Sequence, residues 1–428
     1  MAPFLSAMNA LAVIFSFPFR FSQENFPMCG KPFFSAFCFS IFLVLTGNSL
    51  ADDKPIPVNK SWAERTALSV IQRSPEAWAM RDYKLMEKPQ WAYTYGLVLL
   101  GFQRLYEKTG EQQYLDYAKA YIDQLIDEQG RIKGYNIADF NIDSINSGKL
   151  LFLLHDKYKD PRYLTAMQTL RQQLEWQPRT RSGGLWHKLI YPWQMWLDGL
   201  YMGAPYYAQY AQQFNEGDKA FDDIAHQFIL IESKTRDAQS GLLYHAWDES
   251  TLQRWANDET GLSPHFWSRA MGWYAMALVD VLDYFPEEHK DRKELIVILN
   301  RLADALVKVQ HKSGLWYQVT DQGDRYGNYL EASGSAMFAY AFAKGARKGY
   351  LPARFKKVAD KTFDGLLKNL VVVDEQKQVH LTQICGSAGL GGDPYRPGTF
   401  AYYVGEAIRV DDAHGVGPFI LAALELGR

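Results

Sequence analysis

The sequence predicts an all-α fold, an (α/α)6 barrel of six helical hairpins in one ring, and three observations predict it. Beyond Ala51, apolar residues recur at helical spacing in long blocks, and β-branched runs with strict alternation are scarce. A pattern repeats at a period of about sixty residues. Long links rich in aromatics and acids alternate with short links of charge and proline.

Taken in order, the periodicity predicts helices over 61–73 and 91–108, the latter joined by the short link "KTGEQQY" to a helix over 111–128. The long link "GRIKGYNIADFNIDSIN" follows, then helices over 145–159 and 161–176 around "KDPRY". "GGLWHKLIYPWQMWLDG" leads into 198–214 and 217–234, and "GLLYHAWDES" into 265–285 and 288–311. "GLWYQVTDQG" precedes 330–347 and 352–370, and "QKQVHLTQICGSAGLGGDPYRPG" precedes 398–427. These long links start at 130, 183, 241, 314 and 376, and they share a glycine turn and a short extended piece before the next helix, the fifth more loosely. Closure into a ring is expected because it hides the terminal hairpins, neither of which reads as a polar capping repeat. The long links then meet at one end around a funnel, where ligand chemistry belongs.

The chain has 428 residues, with 46 Lys+Arg against 48 Asp+Glu. A net charge of -2 supplies no field for nucleic acid or an anionic membrane surface. Residues 1–51 read as a signal region: a single Lys31, an apolar run from Phe33 to about Thr46 and a small-residue end at Ala51, with 1–27 upstream of a sufficient signal. A single catalytic domain is expected over 52–428, in a periplasmic or secreted protein. Cys29 and Cys38 leave with the signal, so Cys385 has no partner for a disulfide or a multi-cysteine zinc site. No metal and no cofactor are expected.

Asp143 in "FNIDSINSGKLLFLL" and Asp198 in "MWLDGLYMGAP" each precede an apolar helical run in equivalent links. Either both cap their helices, or closure points both into the funnel as a pair of working carboxyls. Trp193 and Trp196 would then wall Asp198, and desolvation would raise its pKa and keep a proton available. In "WANDETGLSPHFWSRAMGWYAMALVD", Arg269 stands between Trp267 and Trp273 at the start of an inner helix and needs a partner. A carboxylate suits the guanidinium fork, and with the aromatic platform beside it an acidic sugar fits. His245 is assigned to substrate contact, and His187 and His311 receive no role. "SAGLGGDPYRPG" lacks the lysine of a phosphate loop; it reads as a mobile loop over the mouth, with Tyr395 and Arg396 reaching inward.

"WLDGLYMGAP", "DETGLSPHFWSRAMGWYAMALVDVLDYFP", "GNYLEASGSAMFAYAFAKG" and "GSAGLGGDPYRPGTFAYY" together resemble the unsaturated rhamnogalacturonyl hydrolases of glycoside hydrolase family 105, over essentially residues 60 to 427. The resemblance implies an (α/α)6 barrel acting on lyase-generated oligosaccharides with a C4=C5 double bond in the terminal uronic acid. It implies that the acid/base is Asp198, assisted by Asp143, that His245, Trp267, Arg269 and Trp273 line the pocket, and that Tyr93 lies against the sugar. Rhamnose is the default second sugar, with ulvan or arabinogalactan products as alternatives. A conventional inverting glycosidase using the same two carboxyls and a non-catalytic sugar-binding toroid are the competing readings.

Overall fold

A computed structural model describes residues 55–80 and 87–428, within a compact unit spanning Leu50–Arg428. The signal region expected over 1–51 lies outside the described residues.

Among the described residues, twelve long helices form two concentric rings. The inner ring consists of α2 (Tyr93–Thr109), α4 (Lys149–Tyr158), α6 (Leu197–Gln213), α8 (Ser268–Val281), α10 (Ala332–Lys348) and α13 (Ala413–Leu426). The outer ring consists of α1 (Trp62–Arg73), α3 (Gln112–Leu125), α5 (Pro161–Trp176), α7 (Asp218–Thr235), α9 (Arg292–Lys308) and α11 (Arg354–Asn369). Burial is most complete in the inner ring at α8 and most one-sided in the outer ring at α11. Every residue of α8 is buried, as befits a helix packed on all sides. In contrast α11 buries Phe355, Ala359, Thr362, Phe363 and Leu366, a single stripe at helical spacing.

Neighbours pack in the order α2, α4 with the 3-10 turn Ile142–Gly148 before it, α6, α8, α10, α13 and back to α2. The outer helix of the sixth hairpin is α1, which packs on α13, so the first and last helices complete the ring together. The α13–α2 seam is tight because glycines face it. A Cβ on Gly417 would stand 2.7 Å from Leu97 Cγ, and one on Gly101 2.9 Å from Ile420 Cγ2.

Two helix boundaries differ from expectation. The helix expected over 398–427 is two, α12 (Phe400–Gly405) and α13. Between them Ile408–Arg409 pairs with Ile384–Cys385 as a short ladder, Asp411 turns at φ 61°, and Asp412 caps α13. The helix expected over 145–159 opens as the 3-10 turn, and α4 begins at Lys149. The extended pieces foreseen in the long links are real. The strands β1 (Gln194–Trp196) and β2 (Ala246–Asp248) pair antiparallel, and Trp316–Tyr317 pairs with Leu330–Glu331. Among the described residues no helix is long and apolar enough to cross a membrane.

At the end away from the long links, Lys344 of α10 lies 2.6 Å from Asp280 Oδ1 and 2.7 Å from Asp283 Oδ2, and Tyr340 donates to Asp280 at 2.6 Å. Burial opposes the ammonium, but the two carboxylates outweigh it and hold the Lys344 pKa above its ordinary value. Lys344→Met leaves Asp283 paired to Lys348 at 3.0 Å but leaves the buried Asp280 with no cation beside it, and is expected to lower the unfolding free energy by about 3–5 kcal/mol. The measurement is the midpoint of denaturant unfolding at constant slope, and an unchanged midpoint contradicts this account.

Candidate active site

The short links join inner to outer helices at one end, so all six inner helices start at the other. A cavity of about 280 Å³ opens there, lined by Tyr93, Asp143 and Asp198 together with His187, Lys188, Tyr191, Trp196, Met202, Ser387, Ala388 and Arg396.

Neither aspartate is a cap. Asn141 caps the 3-10 turn, its side chain accepting from the Asp143 N–H at 3.1 Å, and α6 is preceded by Trp196 with no side-chain cap bond. Both carboxyls are therefore left for the cavity, and their surroundings differ. Lys188 Nζ lies 2.6 Å from Asp143 Oδ2, and His187 Nε2 lies 3.3 Å from Oδ1. Burial pushes the Asp143 pKa up, but the Lys188 charge prevails and holds it below the ordinary carboxylate range. Burial pushes His187 down to about 4, so that imidazole is neutral at neutral pH.

Asp198 instead faces an imidazole, with its Oδ2 3.0 Å from His245 Nε2. The contact is close but off hydrogen-bond alignment, and both atoms are buried without another partner. Behind it, His245 Nδ1 lies 2.8 Å from Tyr403 Oη. Strand pairing creates this meeting: Trp196 sits opposite Ala246 in the β1–β2 register, and the Leu197 N–H continues the ladder to the His245 carbonyl at 3.1 Å. His245 is 0% exposed, so it contacts the acid rather than a sugar, a correction to the role expected for it.

The wall beside Asp198 is Trp196. His187 stacks on it at 4.5 Å and 8°, and Tyr191 at 5.1 Å and 14°. Both come from a hairpin that folds back where Lys188 bridges to Tyr191. Trp193 turns away at φ 66° and packs on Trp186 at 5.1 Å.

Arg269 is 1% exposed and does not line the cavity. Its guanidinium donates to the Cys385 carbonyl at 2.6 Å, the Gly386 carbonyl at 3.0 Å and Ser333 Oγ at 3.2 Å. Glu331, the cap of α10, accepts the Cys385 N–H at 3.0 Å from the other side. Arginine and glutamate thus clamp the backbone that carries Ser387 and Ala388 to the cavity. The carboxylate partner expected for Arg269 is replaced by carbonyls. Trp267 and Trp273, each 1% exposed, are packed away from the cavity lining.

The loop expected to be mobile is tied down. Leu390 is buried with Trp196 and Trp255, and Tyr395 packs on the edge of that cluster with Arg254 4.3 Å over its ring. Arg396 lines the cavity. Its Nη2 donates to Tyr191 Oη at 2.6 Å and to the Leu390 carbonyl at 3.0 Å, and its Nε to the Gly391 carbonyl at 2.9 Å. These bonds leave Nη1 without a partner among the described residues. Sequence reasoning passed over His187, Lys188 and Tyr191, although "HKLIY" lies in the link that delivers Asp198. Among the described residues the group compact enough to hold a metal, Asp222, His289 and Asp291, lies outside this cavity, and Asp222 is paired to Lys290 at 2.7 Å.

The model of Glycosyl Hydrolase Family 88 matches residues 62–428. A family 105 glycoside hydrolase from C. acetobutylicum ATCC 824 is 46% identical and superimposes with a TM-score of 0.82, over 86% of this chain and 99% of that one. Protein Atu3128 of Agrobacterium fabrum is 42% identical over 230 residues, 52% of this chain and 97% of its own length. The unsaturated rhamnogalacturonyl hydrolase YesR of Bacillus subtilis is 28% identical over 284 residues, 65% of this chain and 76% of its own. With its closed double ring of helices and its paired carboxyls at the funnel end, the chain is a glycoside hydrolase of the Glycosyl Hydrolase Family 88 and, with the clostridial enzyme, of family 105.

Proposed function

We propose that the enzyme removes the C4=C5 unsaturated uronic acid from the end of lyase-generated oligosaccharides by hydrating its double bond, with Asp198 as acid and then base. The preferred substrate is unsaturated galacturonyl-rhamnose, supported by the similarity to YesR. The observation that carries the reading is the difference between the two carboxyls of one cavity. Asp143 is held ionised by Lys188, whereas Asp198 meets a histidine and, among the described residues, no lysine or arginine pairs with it.

The chemistry follows from that difference. Asp198 gives a proton to C4, and the electron pair of the double bond forms the new C–H bond. Positive charge develops at C5 and the ring oxygen, where the Asp143 carboxylate stabilises it. Water adds to C5 and returns a proton to Asp198. The hemiketal opens and expels the second sugar. Arg396 lines the cavity, its Nη1 making no hydrogen bond among the described residues, and is assigned to the substrate carboxylate. An exported location, read from residues 1–51, belongs to the same proposal.

The direct test follows the ultraviolet absorbance of the conjugated double bond during incubation with unsaturated disaccharides that differ in the second sugar. Absorbance is expected to fall, fastest with rhamnose; release of a saturated sugar at constant absorbance would identify a conventional inverting hydrolase. Steady-state kinetics should separate two roles. Asp198→Asn lowers kcat by about 10²- to 10⁴-fold with KM nearly unchanged, while Arg396→Met raises KM by about 10- to 100-fold. A binding-only toroid would be indifferent to the first change.

The third expectation concerns pH. Above its depressed pKa Asp143 is ionised and the site is active. Lys188→Met leaves burial as the main influence on that carboxyl, so its pKa rises and the acid limb of kcat/KM moves to higher pH. An acid limb that stays in place rules out this role for Lys188.

A further inference from the structure

We propose that Asp412 and His414 are positioning residues that make the oxygen of Tyr93 a hydrogen-bond acceptor for the attacking water, an inference that rests on the hydration reading above. Asp412 Oδ1 caps α13 by accepting the His414 N–H at 3.0 Å. The same oxygen lies 2.7 Å from Nδ1 of that imidazole, and Nε2 lies 2.7 Å from Tyr93 Oη. Asp412 and His414 are each 1% exposed, while Tyr93, the first residue of α2, lines the cavity. The three groups thus bridge the α13–α2 seam.

Their polarity follows from the cap. An oxygen that accepts a backbone N–H is an acceptor toward the ring as well, so Nδ1 carries the hydrogen and Nε2 a lone pair. The Tyr93 hydroxyl donates to Nε2, and the oxygen it presents to the cavity is an acceptor. A second chain runs in the opposite sense: Asp198 at the cavity, His245 behind it, and Tyr403 outermost. Burial holds the Tyr403 phenol well above its ordinary pKa, so it stays a neutral hydroxyl. The same three side-chain types therefore present a carboxyl at one wall and a phenol oxygen at the other. Water adding to C5 has two hydrogens. Asp198 takes one as the C–O bond forms, and Tyr93 holds the other without receiving it.

The test is a double-mutant cycle between positions 414 and 93, with kcat and KM measured on the unsaturated disaccharide and folding checked by thermal unfolding. His414→Phe is expected to lower kcat by about 10- to 100-fold with KM within about threefold, and to have no further effect once Tyr93→Phe has removed the oxygen. A His414→Phe variant with full kcat, or one whose loss is equal in both backgrounds, overturns the proposal. Should that variant fail to fold, Asp412→Asn takes its place in the same cycle. Its weaker acceptor lowers kcat in the Tyr93 background only, and equal loss in both, or none, is again decisive against the relay. Wild-type enzyme that leaves the double bond intact brings down the hydration reading as well, whereas active wild type with additive losses removes the relay alone.

Discussion

Six inner helices start at the same end of a closed ring, and the rest of the molecule depends on that constraint. Each helix start carries unpaired N–H groups and a partial positive charge. Six of them converging on one funnel favour acidic side chains there, and the structure places Asp143, Asp198, Glu331 and Asp412 at or just before four of those starts. Closure also brings these acids toward one another, so each needs its own compensating partners. Their assignments differ: Glu331 accepts backbone N–H groups with both oxygens, Asp412 accepts the His414 N–H and meets its ring through Oδ1, and Asp143 and Asp198 face the cavity.

What distinguishes those two is the loops, not the helices. The ladder between β1 and β2 delivers an imidazole to Asp198, and the fold-back at Lys188 and Tyr191 delivers an ammonium to Asp143. Trp196 stands between these deliveries with His187 and Tyr191 stacked on it. Aromatic contacts of this kind are worth about 0.5–1.5 kcal/mol each beyond burial. They hold a polar hairpin in one position without consuming its hydrogen-bonding groups.

The helical rings were legible because an outer helix must show one apolar stripe and an inner helix several, and both patterns are local. The split of the last helix was missed although Gly405 and the Asp411-Asp412 pair mark a stop and a cap; the pairing of Ile408–Arg409 with a strand from another link, which makes the break, is non-local. Asp143 and Asp198 could be found because each stands at the same point of a repeated unit. Lys188 and His187 could not, since their partner lies across a fold-back that no spacing announces. The reading that Arg269 requires partners was sound, but two carbonyls of a distant segment meet that requirement as well as a carboxylate. A helix-start arginine looks the same in sequence whichever it meets.

The joining of α1 to α13 makes the pocket a property of the closed ring. Until α13 docks, α1 and α2 flank an unfilled groove, and the histidine beside Tyr93 arrives only with α13. A ring lacking that helix keeps both cavity aspartates yet leaves one wall of the pocket unsupported.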